Sequence, residues 1–213
     1  MSSPFFPNQE QTAAKLLEHF SEGRRYCMLS AQFQSGKTGS CLATGYEMLR
    51  KGLVKKAYVI CGDSRRELRD QWNDKIKVAA TQLAEMYQTE PSPPSKEELL
   101  DSWKVLFRHD VSKQRHLLEE SDYVIFWDES HYACSENQIL HQVFEDTGLL
   151  GGIQNTDPDC FSRRNLYFVS VTATRGVELS KAELAGCNWG HVVMTPGTGY
   201  QGIKTYTEKN CIF

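Results

Sequence analysis

Short apolar runs alternate along this chain with longer stretches in which apolar residues recur every three or four positions. A continuous apolar run is typical of a strand buried on both faces of a parallel sheet, and the longer spacing is typical of an amphipathic helix. The predicted strands cover residues 26–30, 57–61, 123–127, 166–171 and 192–194. The predicted helices cover residues 9–20, 40–50, 65–88, 112–120 and 139–144. This alternation predicts an α/β fold, with a mostly parallel central sheet between two helical layers.

Two stretches interrupt that pattern. Residues 88–98 contain the sequence EPSPPS, which predicts a surface loop or an insertion within the domain. Residues 148–164 are rich in Gly, Asn, Asp and Arg and are predicted to form a loop as well. Between them, residues 99–107 are predicted to run from a helix into a strand. We therefore expect one domain over residues 1–195, followed over 196–213 by a C-terminal tail or the start of a linker.

The run AQFQSGKT at 31–38 lies between a predicted strand and a predicted helix. A loop that wraps a triphosphate has to direct backbone N–H groups inward, and Gly36 lets the backbone approach the phosphate oxygens closely. Lys37 supplies an ammonium group for the β- and γ-phosphates, and the hydroxyl of Thr38 can bind Mg²⁺. Ala31 takes the first motif position in place of Gly. The strand–loop–helix context predicts a phosphate-binding loop rather than a chance Gly-Lys-Thr on a surface turn.

A second polar motif, DESH at 128–131, directly follows an apolar run. Asp128 then lies at the carboxyl end of a buried strand, where open α/β sheets bind their ligands. An aspartate there can hold the Mg²⁺ shell, and the adjacent Glu129 can orient or deprotonate the attacking water. The alternative, a solvated acidic pair at a strand end, is the weaker interpretation in a chain that also has a phosphate-binding loop. Together the two motifs predict a nucleoside triphosphatase.

Composition narrows the class of protein further. The chain has 213 residues, of which 40% are hydrophobic and 24% are charged, and this suits one domain with a substantial core. The net charge is −3, so any nucleic-acid surface has to be local. Seven cysteines occur without a C-x-x-C pair, which favours reduced thiols in the cytoplasm or nucleus. The first residues do not form a signal peptide, and no apolar stretch reaches the length of a membrane span.

Five segments of the chain resemble the first RecA-like motor domain of superfamily 2 helicases and translocases, the DExD/H-box group. The segments are NQEQ at 8–11, AQFQSGKT at 31–38, VICGDS at 59–64 with Leu68, Gln71 and Trp72 after it, DESH at 128–131 and VSVTAT at 169–174. The second, fourth and fifth segments carry the resemblance most strongly, because their order and spacing agree as well. The resemblance implies a three-layer RecA-like fold with a phosphate-binding loop.

The resemblance also implies ATP and Mg²⁺ as ligands and gives roles to particular residues. Gln9, or Gln11 in its place, would contact the adenine edge, and capping of the first helix is the alternative role for Gln9. His131 would sense the γ-phosphate, with simple packing at a helix start as the alternative. The Thr-Ala-Thr sequence would couple ATP hydrolysis to movement. The alternative is that its threonines are present only because threonine favours β-strands. The implied sets are Gln9, Gln34, Ser35, Gly36, Lys37, Thr38 and Gly39 for the nucleotide, Thr38 and Asp128 for the metal, Lys37, Asp128, Glu129 and His131 for catalysis, and Thr172, Ala173 and Thr174 for coupling.

Nucleic acid is the implied partner, with DNA favoured over RNA. Ser64, Arg65 and Arg66 begin a predicted helix just after the second strand. Backbone N–H and guanidinium groups at this point can face phosphates together. A solvated basic helix face is the alternative interpretation.

A complete motor of this group has a second RecA-like domain, which supplies an arginine to the ATP site. Residues 175–213 are too few to build a second core of that kind. We therefore expect an incomplete or partner-dependent motor that obtains its second domain in cis or in trans and hydrolyses ATP weakly alone. Two alternatives stay open: a non-catalytic switch that binds ATP or nucleic acid, and another phosphate-loop ATPase such as a genome-packaging motor.

Overall fold

One parallel sheet forms the centre of the molecule. The computed structural model describes residues 3–32, 35–61, 66–128, 139–157, 159–172 and 189–198. Within these residues the strands are β1 (Tyr26–Ser30), β2 (Lys56–Cys61), β3 (Trp103–Phe107), β4 (Tyr123–Asp128), β5 (Leu166–Thr172) and β6 (Gly190–Val193). Their order is β3-β2-β4-β5-β1-β6, and every pairing is parallel. All the carboxyl ends therefore lie at one end of the sheet, and the predicted α/β class is confirmed.

Helices cover both faces of this sheet. The first layer consists of α1 (Pro7–Ser21), α2 (Lys37–Arg50), α3 (Arg66–Tyr87) and α4 (Lys96–Asp101). The second layer consists of α5 (Arg108–Val111), α6 (Ile139–Asp146), α7 (Leu149–Ile153) and α8 (Cys160–Arg163), with a 3₁₀ turn at Arg115–Glu119. None of the described helices is long and apolar enough to cross a membrane.

The central strands β1, β4 and β5 are largely apolar because each of their faces packs against one helical layer. In β4, for example, Val124 and Phe126 belong to the core beneath the first layer, whereas Tyr123, Ile125 and Trp127 belong to the core beneath the second. Side chains alternate between the faces of a strand, so a run without polar positions serves two cores at once. The two cores hold the sheet rigidly and so fix the positions of its strand ends.

Two local predictions were wrong, and a third placed the end of a loop a few residues too late. The predicted loop at 148–164 contains α7 and α8, because Gly152 is a packing residue: a Cβ there would lie 2.6 Å from Cys160 Sγ. The predicted helix at 112–120 is replaced by the end of α5 and the 3₁₀ turn, where Arg164 and Tyr123 donate to the carbonyl oxygen of Leu118. The predicted loop at 88–98 is shorter, because a capping box at Ser95 begins α4.

Four of the cysteines are described, and all four are buried. Burial raises the pKa of Cys27 to about 12. Burial also raises the pKa of Cys41 and of Cys160, so these three thiols are protonated at neutral pH and pack as small apolar groups.

Candidate nucleotide site

The predicted phosphate-binding loop connects β1 to α2 at the carboxyl end of the sheet. Gly36 has a φ of +99°, in the left-handed region that glycine adopts at little cost, and Lys37 begins the helix directly after it. The first N–H groups of α2 have no acceptor within the helix, and the helix dipole makes this end positive. Lys37 and Thr38 lie in this first turn and are partly exposed. This arrangement is suited to binding an anion such as a phosphate group.

Asp128 is the last residue of β4 and is 5% exposed. Alternation along the strand directs its side chain to the same face as Phe126, towards the first helical layer and therefore towards α2. Trp72 of α3 donates its indole N–H to Oδ2 of this carboxylate at 2.9 Å. Asp128 thus has a fixed partner deep in the structure, on the side of the sheet that carries the loop.

Lys37 and Asp128 both act electrostatically on the buried thiol of Cys41. This thiol lies one turn after Lys37 and is fully buried. Burial is the main cause that raises its pKa, the negative charge of Asp128 raises it further, and the positive charge of Lys37 lowers it. Both predicted charged residues therefore influence the same buried thiol at the start of α2.

Strand β5 separates β1 from β4, so the end of β5 lies between the loop and Asp128. Thr172 pairs with Ser30, and its carbonyl oxygen accepts a hydrogen bond of 3.1 Å from Ala31 N. Alternation places its side chain on the face opposite to that of Val171, which packs in the first-layer core. Thr172 thus contacts the start of the loop through its backbone, and its coupling role stays a prediction.

The first helix contacts the loop through two amide side chains. Gln9 is 9% exposed; its Oε1 accepts from Phe6 N at 3.0 Å, and its Nε2 donates to Gly36 O at 3.3 Å. Asn8 donates to the carbonyl oxygens of Ser35 and Thr195, both at 3.4 Å. Gln9 therefore caps α1 and supports the loop, and its predicted adenine contact stays a prediction.

Two residues assigned to the nucleotide take part in this packing as well. A Cβ at Gly39 would lie only 2.2 Å from Gln9 Nε2, so glycine is needed there for the close approach of Gln9. The hydroxyl of Ser35 contacts the sulfur of Met194 at 3.7 Å, and Ser40 contacts the same sulfur at 3.5 Å. Met194 directly follows β6 and is 2% exposed, so this buried side chain packs against the loop and the first turn of α2.

The residues present fit a magnesium ion with a triphosphate. Thr38 supplies a hydroxyl and Asp128 a carboxylate, and Mg²⁺ prefers oxygen ligands of this kind. In the part of the chain that the structure describes, no group of three or more His, Cys, Asp or Glu residues could hold a metal.

Arg66, the described member of the predicted nucleic-acid contacts, is the exposed first residue of α3. It lies just beyond the carboxyl end of β2, at the same end of the sheet as the loop. Of the predicted site residues, those outside the described residues are Gln34, Ser64, Arg65, Glu129, His131, Ala173 and Thr174.

Sequence reasoning gave no role to three residues that contact the site: Asn8, Trp72 and Met194. The one signal available was Trp72, since a buried indole N–H usually has an acceptor. The contacts of Asn8 and Met194 join residues that are distant in sequence, and no local pattern predicts them.

Comparison with known proteins identifies the family. The search of curated proteins gave no match. Among solved structures, a chain in a structure of C. elegans PCH-2 is similar, with 13% sequence identity and a TM-score of 0.37. The similarity covers 89% of this chain and 42% of the PCH-2 chain, so this chain spans less than half of that relative. The family model of the res subunit of type III restriction enzymes matches residues 2–156, which include the phosphate-binding loop and the DESH motif. The chain therefore belongs to the family of the type III restriction enzyme res subunit and contains the first RecA-like ATPase domain of a superfamily 2 helicase.

Proposed function

We propose that this chain is the ATP-binding motor domain of a DExH-box helicase or translocase, in which ATP hydrolysis drives movement on DNA. The observation that carries the proposal is the placement of the first turn of α2 and of Asp128 on the same face of the sheet. The loop offers donors to phosphate oxygens, and the strand end offers an acidic ligand for a metal. Both are required for the transfer of a phosphoryl group to water.

Binding of ATP would begin at the start of α2. The free N–H groups of its first turn and the ammonium group of Lys37 neutralise the phosphates. The amide of Gln9 adjoins this turn at Gly36, which supports a contact with the adenine edge after a small rearrangement. A two-pronged amide contact of this kind favours ATP over GTP.

Catalysis would depend on the acidic motif. Thr38 and Asp128 would hold Mg²⁺, which would supply positive charge to the phosphate oxygens when bound. Glu129 accepts a proton from the attacking water while the new phosphorus–oxygen bond forms and the bond to the β-phosphate breaks. His131 contacts the γ-phosphate region. An arginine from a second RecA-like domain, in cis or in trans, stabilises the transition state and contributes a factor of about 10³–10⁵ in rate.

Movement would require that ATP hydrolysis changes the affinity of the domain for DNA. The Thr172–Thr174 segment follows β5, whose end contacts the start of the phosphate-binding loop. Ser64, Arg65 and Arg66 would contact DNA phosphates at the start of α3. Such contacts are independent of sequence and weaken as salt is added.

The decisive experiment is steady-state ATP hydrolysis with Mg²⁺, with and without single-stranded DNA, for the unaltered chain and for Glu129→Gln. The proposal predicts slow turnover that DNA stimulates. Loss of the carboxylate base should lower turnover by about 10²–10⁴-fold while ATP binding is retained. Retained hydrolysis in Glu129→Gln would remove Glu129 as the catalytic carboxylate.

Other outcomes support the alternatives. ATP binding without turnover, even when a second RecA-like domain is added, would support a non-catalytic switch. Equal use of GTP and ATP would exclude the adenine contact of Gln9. Stimulation of ATP hydrolysis by RNA but not by DNA would show that the nucleic-acid partner is RNA.

A further inference from the structure

Trp72 joins helix α3 to the predicted metal ligand. The side chain is 1% exposed, and its Nε1–H donates to Oδ2 of Asp128 at 2.9 Å. Asp128 is itself 5% exposed, so neither group can exchange this bond freely for water. A hydrogen bond between a buried N–H and a buried carboxylate is short, directional and costly to break.

The other tryptophans show that this core does not require such a bond. Among the described residues, Trp103, Trp127 and Trp189 bury their indole N–H groups without a hydrogen-bond partner. The acceptor of Trp72 is therefore not a general feature of how the fold accommodates indole rings. Even Trp127, the neighbour of Asp128 in β4, has no such bond within the described part of the chain, whereas Trp72 donates to the Asp128 carboxylate.

We propose that Trp72 is a positioning residue for metal binding, an inference that rests on the proposed ATPase function. Its indole N–H holds Oδ2 of Asp128, so the orientation of the carboxylate is set before Mg²⁺ binds. A carboxylate with one oxygen fixed in advance loses less rotational freedom when it binds the metal. Groups that orient a metal ligand in this way typically change metal affinity or activity by about 10–100-fold when removed.

The test uses Trp72→Phe, which keeps an aromatic ring and removes the N–H. The matched control is Trp103→Phe, because Trp103 also packs in the first-layer core but its N–H has no acceptor among the described residues. Calorimetry measures ATP affinity with Mg²⁺ and, separately, in EDTA. In Trp72→Phe we expect the gain in ATP affinity from Mg²⁺ to shrink by about 10–100-fold, while the affinity in EDTA stays the same. Trp103→Phe should behave as the unaltered chain in both conditions.

A second measurement observes the hydrogen bond without nucleotide. In a ¹⁵N–¹H spectrum, the indole resonance that disappears in Trp72→Phe belongs to Trp72, and Asp128→Asn should shift that resonance. If Trp72→Phe does not fold, β-(3-benzothienyl)alanine at position 72 replaces the N–H by sulfur in a ring of nearly the same shape.

Two results would overturn the inference. An indole resonance that Asp128→Asn leaves in place would show that the bond is not formed in solution. An unchanged Mg²⁺ dependence in Trp72→Phe would show that the bond does not position the metal ligand. Failure of the proposed function looks different, because the unaltered chain would then bind no ATP in either condition, and the positioning role would be lost with it.

Discussion

At the amino end of the sheet, polar side chains hydrogen-bond to the chain itself. Asn165 donates to Leu53 O at 2.9 Å and to Asp122 Oδ1 at 3.0 Å, and it accepts from Arg25 at 3.0 Å. Lys55 donates to the other oxygen of Asp122 at 2.9 Å. Asp122 and Asn165 also have positive φ values of 62° and 49°, and they turn the chain into β4 and β5.

At the carboxyl end the polar groups surround a helix start and a strand end instead. Gly36 bends the chain into α2, Lys37 and Thr38 stay partly exposed, and Asp128 accepts a bond from an indole. The difference indicates that one end is organised for stability and the other for a ligand. Each prediction below tests whether a mutation at one end of the sheet changes the stability of the fold without changing ATP affinity, or the reverse.

The largest effect is expected at the carboxyl end, from Lys37→Ala. Loss of the ammonium group should lower ATP affinity by about 10²–10³-fold, or about 3–4 kcal/mol. Unfolding stability should change little, because Lys37 is partly exposed. Calorimetric titration with ATP measures the first quantity, and urea unfolding measures the second.

Lys51→Ala is the matched control, because Lys51 caps the opposite end of the same helix and pairs with Glu47 at 3.2 Å. It should leave ATP affinity unchanged. Equal ATP affinity in Lys37→Ala and Lys51→Ala would refute the phosphate-binding loop.

The next largest effect is expected at the amino end, from Arg164→Ala. The guanidinium group donates to the carbonyl oxygens of Glu120 at 2.8 Å and Thr147 at 3.0 Å, and also to that of Leu118. Removing several donors to partly buried carbonyls should destabilise the fold by about 2–3 kcal/mol. Urea unfolding should show this loss, with ATP affinity preserved under conditions where the variant is folded.

The adjacent Arg163→Ala provides the control. Arg163 is exposed, and its side chain pairs with Asp157. An exposed ion pair contributes about 0–1 kcal/mol, so this variant should stay close to the unaltered chain. If both arginine variants lose the same free energy of unfolding, the hydrogen bonds of Arg164 stabilise the fold no more than the exposed ion pair of Arg163 does.

A smaller effect is expected from Gly39→Ala. This substitution tests whether Gln9 stabilises the fold by packing against the start of α2. The new methyl group would lie 2.2 Å from Gln9 Nε2, so the amide must move from its place between Phe6 N and Gly36 O. We expect a loss of about 1–2 kcal/mol in urea unfolding, although alanine is otherwise favoured within a helix.

In a Gln9→Ala background the same substitution should cost little, because the group that it displaces is absent. The double-mutant cycle should therefore give a coupling of about 1 kcal/mol or more. Additive effects would mean that Gln9 is not held against Gly39. Measuring ATP against GTP affinity in Gln9→Ala then tests the adenine contact separately.

The sequence was sufficient for the sheet and for the chemical identity of the loop, because both depend on adjacent residues. Five apolar residues in a row predict β4 whatever packs on it, and a Gly-Lys-Thr between a strand and a helix predicts a phosphate-binding loop wherever it lies. The short helices α7 and α8 were missed because Gly152 is chosen by contact with Cys160 and Phe161, and such a contact has no local signature.

The same reasoning explains why the surroundings of the site could not be predicted. Asn8 and Met194 support the loop from opposite ends of the chain, and Trp72 reaches Asp128 from a separate helix. These contacts exist only once the strands are ordered with β5 between β1 and β4. Sequence alone therefore proposed residues for contact with a nucleotide, whereas the residues that support the loop and Asp128 became visible only in the structure.

The smallest effect is expected from the pH dependence of the amino end. Hydrogen bonds from Asn165 and then from Lys55 hold the pKa of Asp122 below its ordinary value of 3.8. A lowered carboxyl pKa stabilises the fold above the unfolded pKa, and this contribution is lost as the pH falls through the folded value. Asp122→Asn tolerates the positive φ and cannot titrate, so its stability should fall less steeply than that of the unaltered chain below about pH 4. Lys55→Ala, which removes the second donor, should give an intermediate slope. Thermal unfolding across the acid range measures the three slopes, and parallel curves would show that the charge of Asp122 contributes nothing to the amino end.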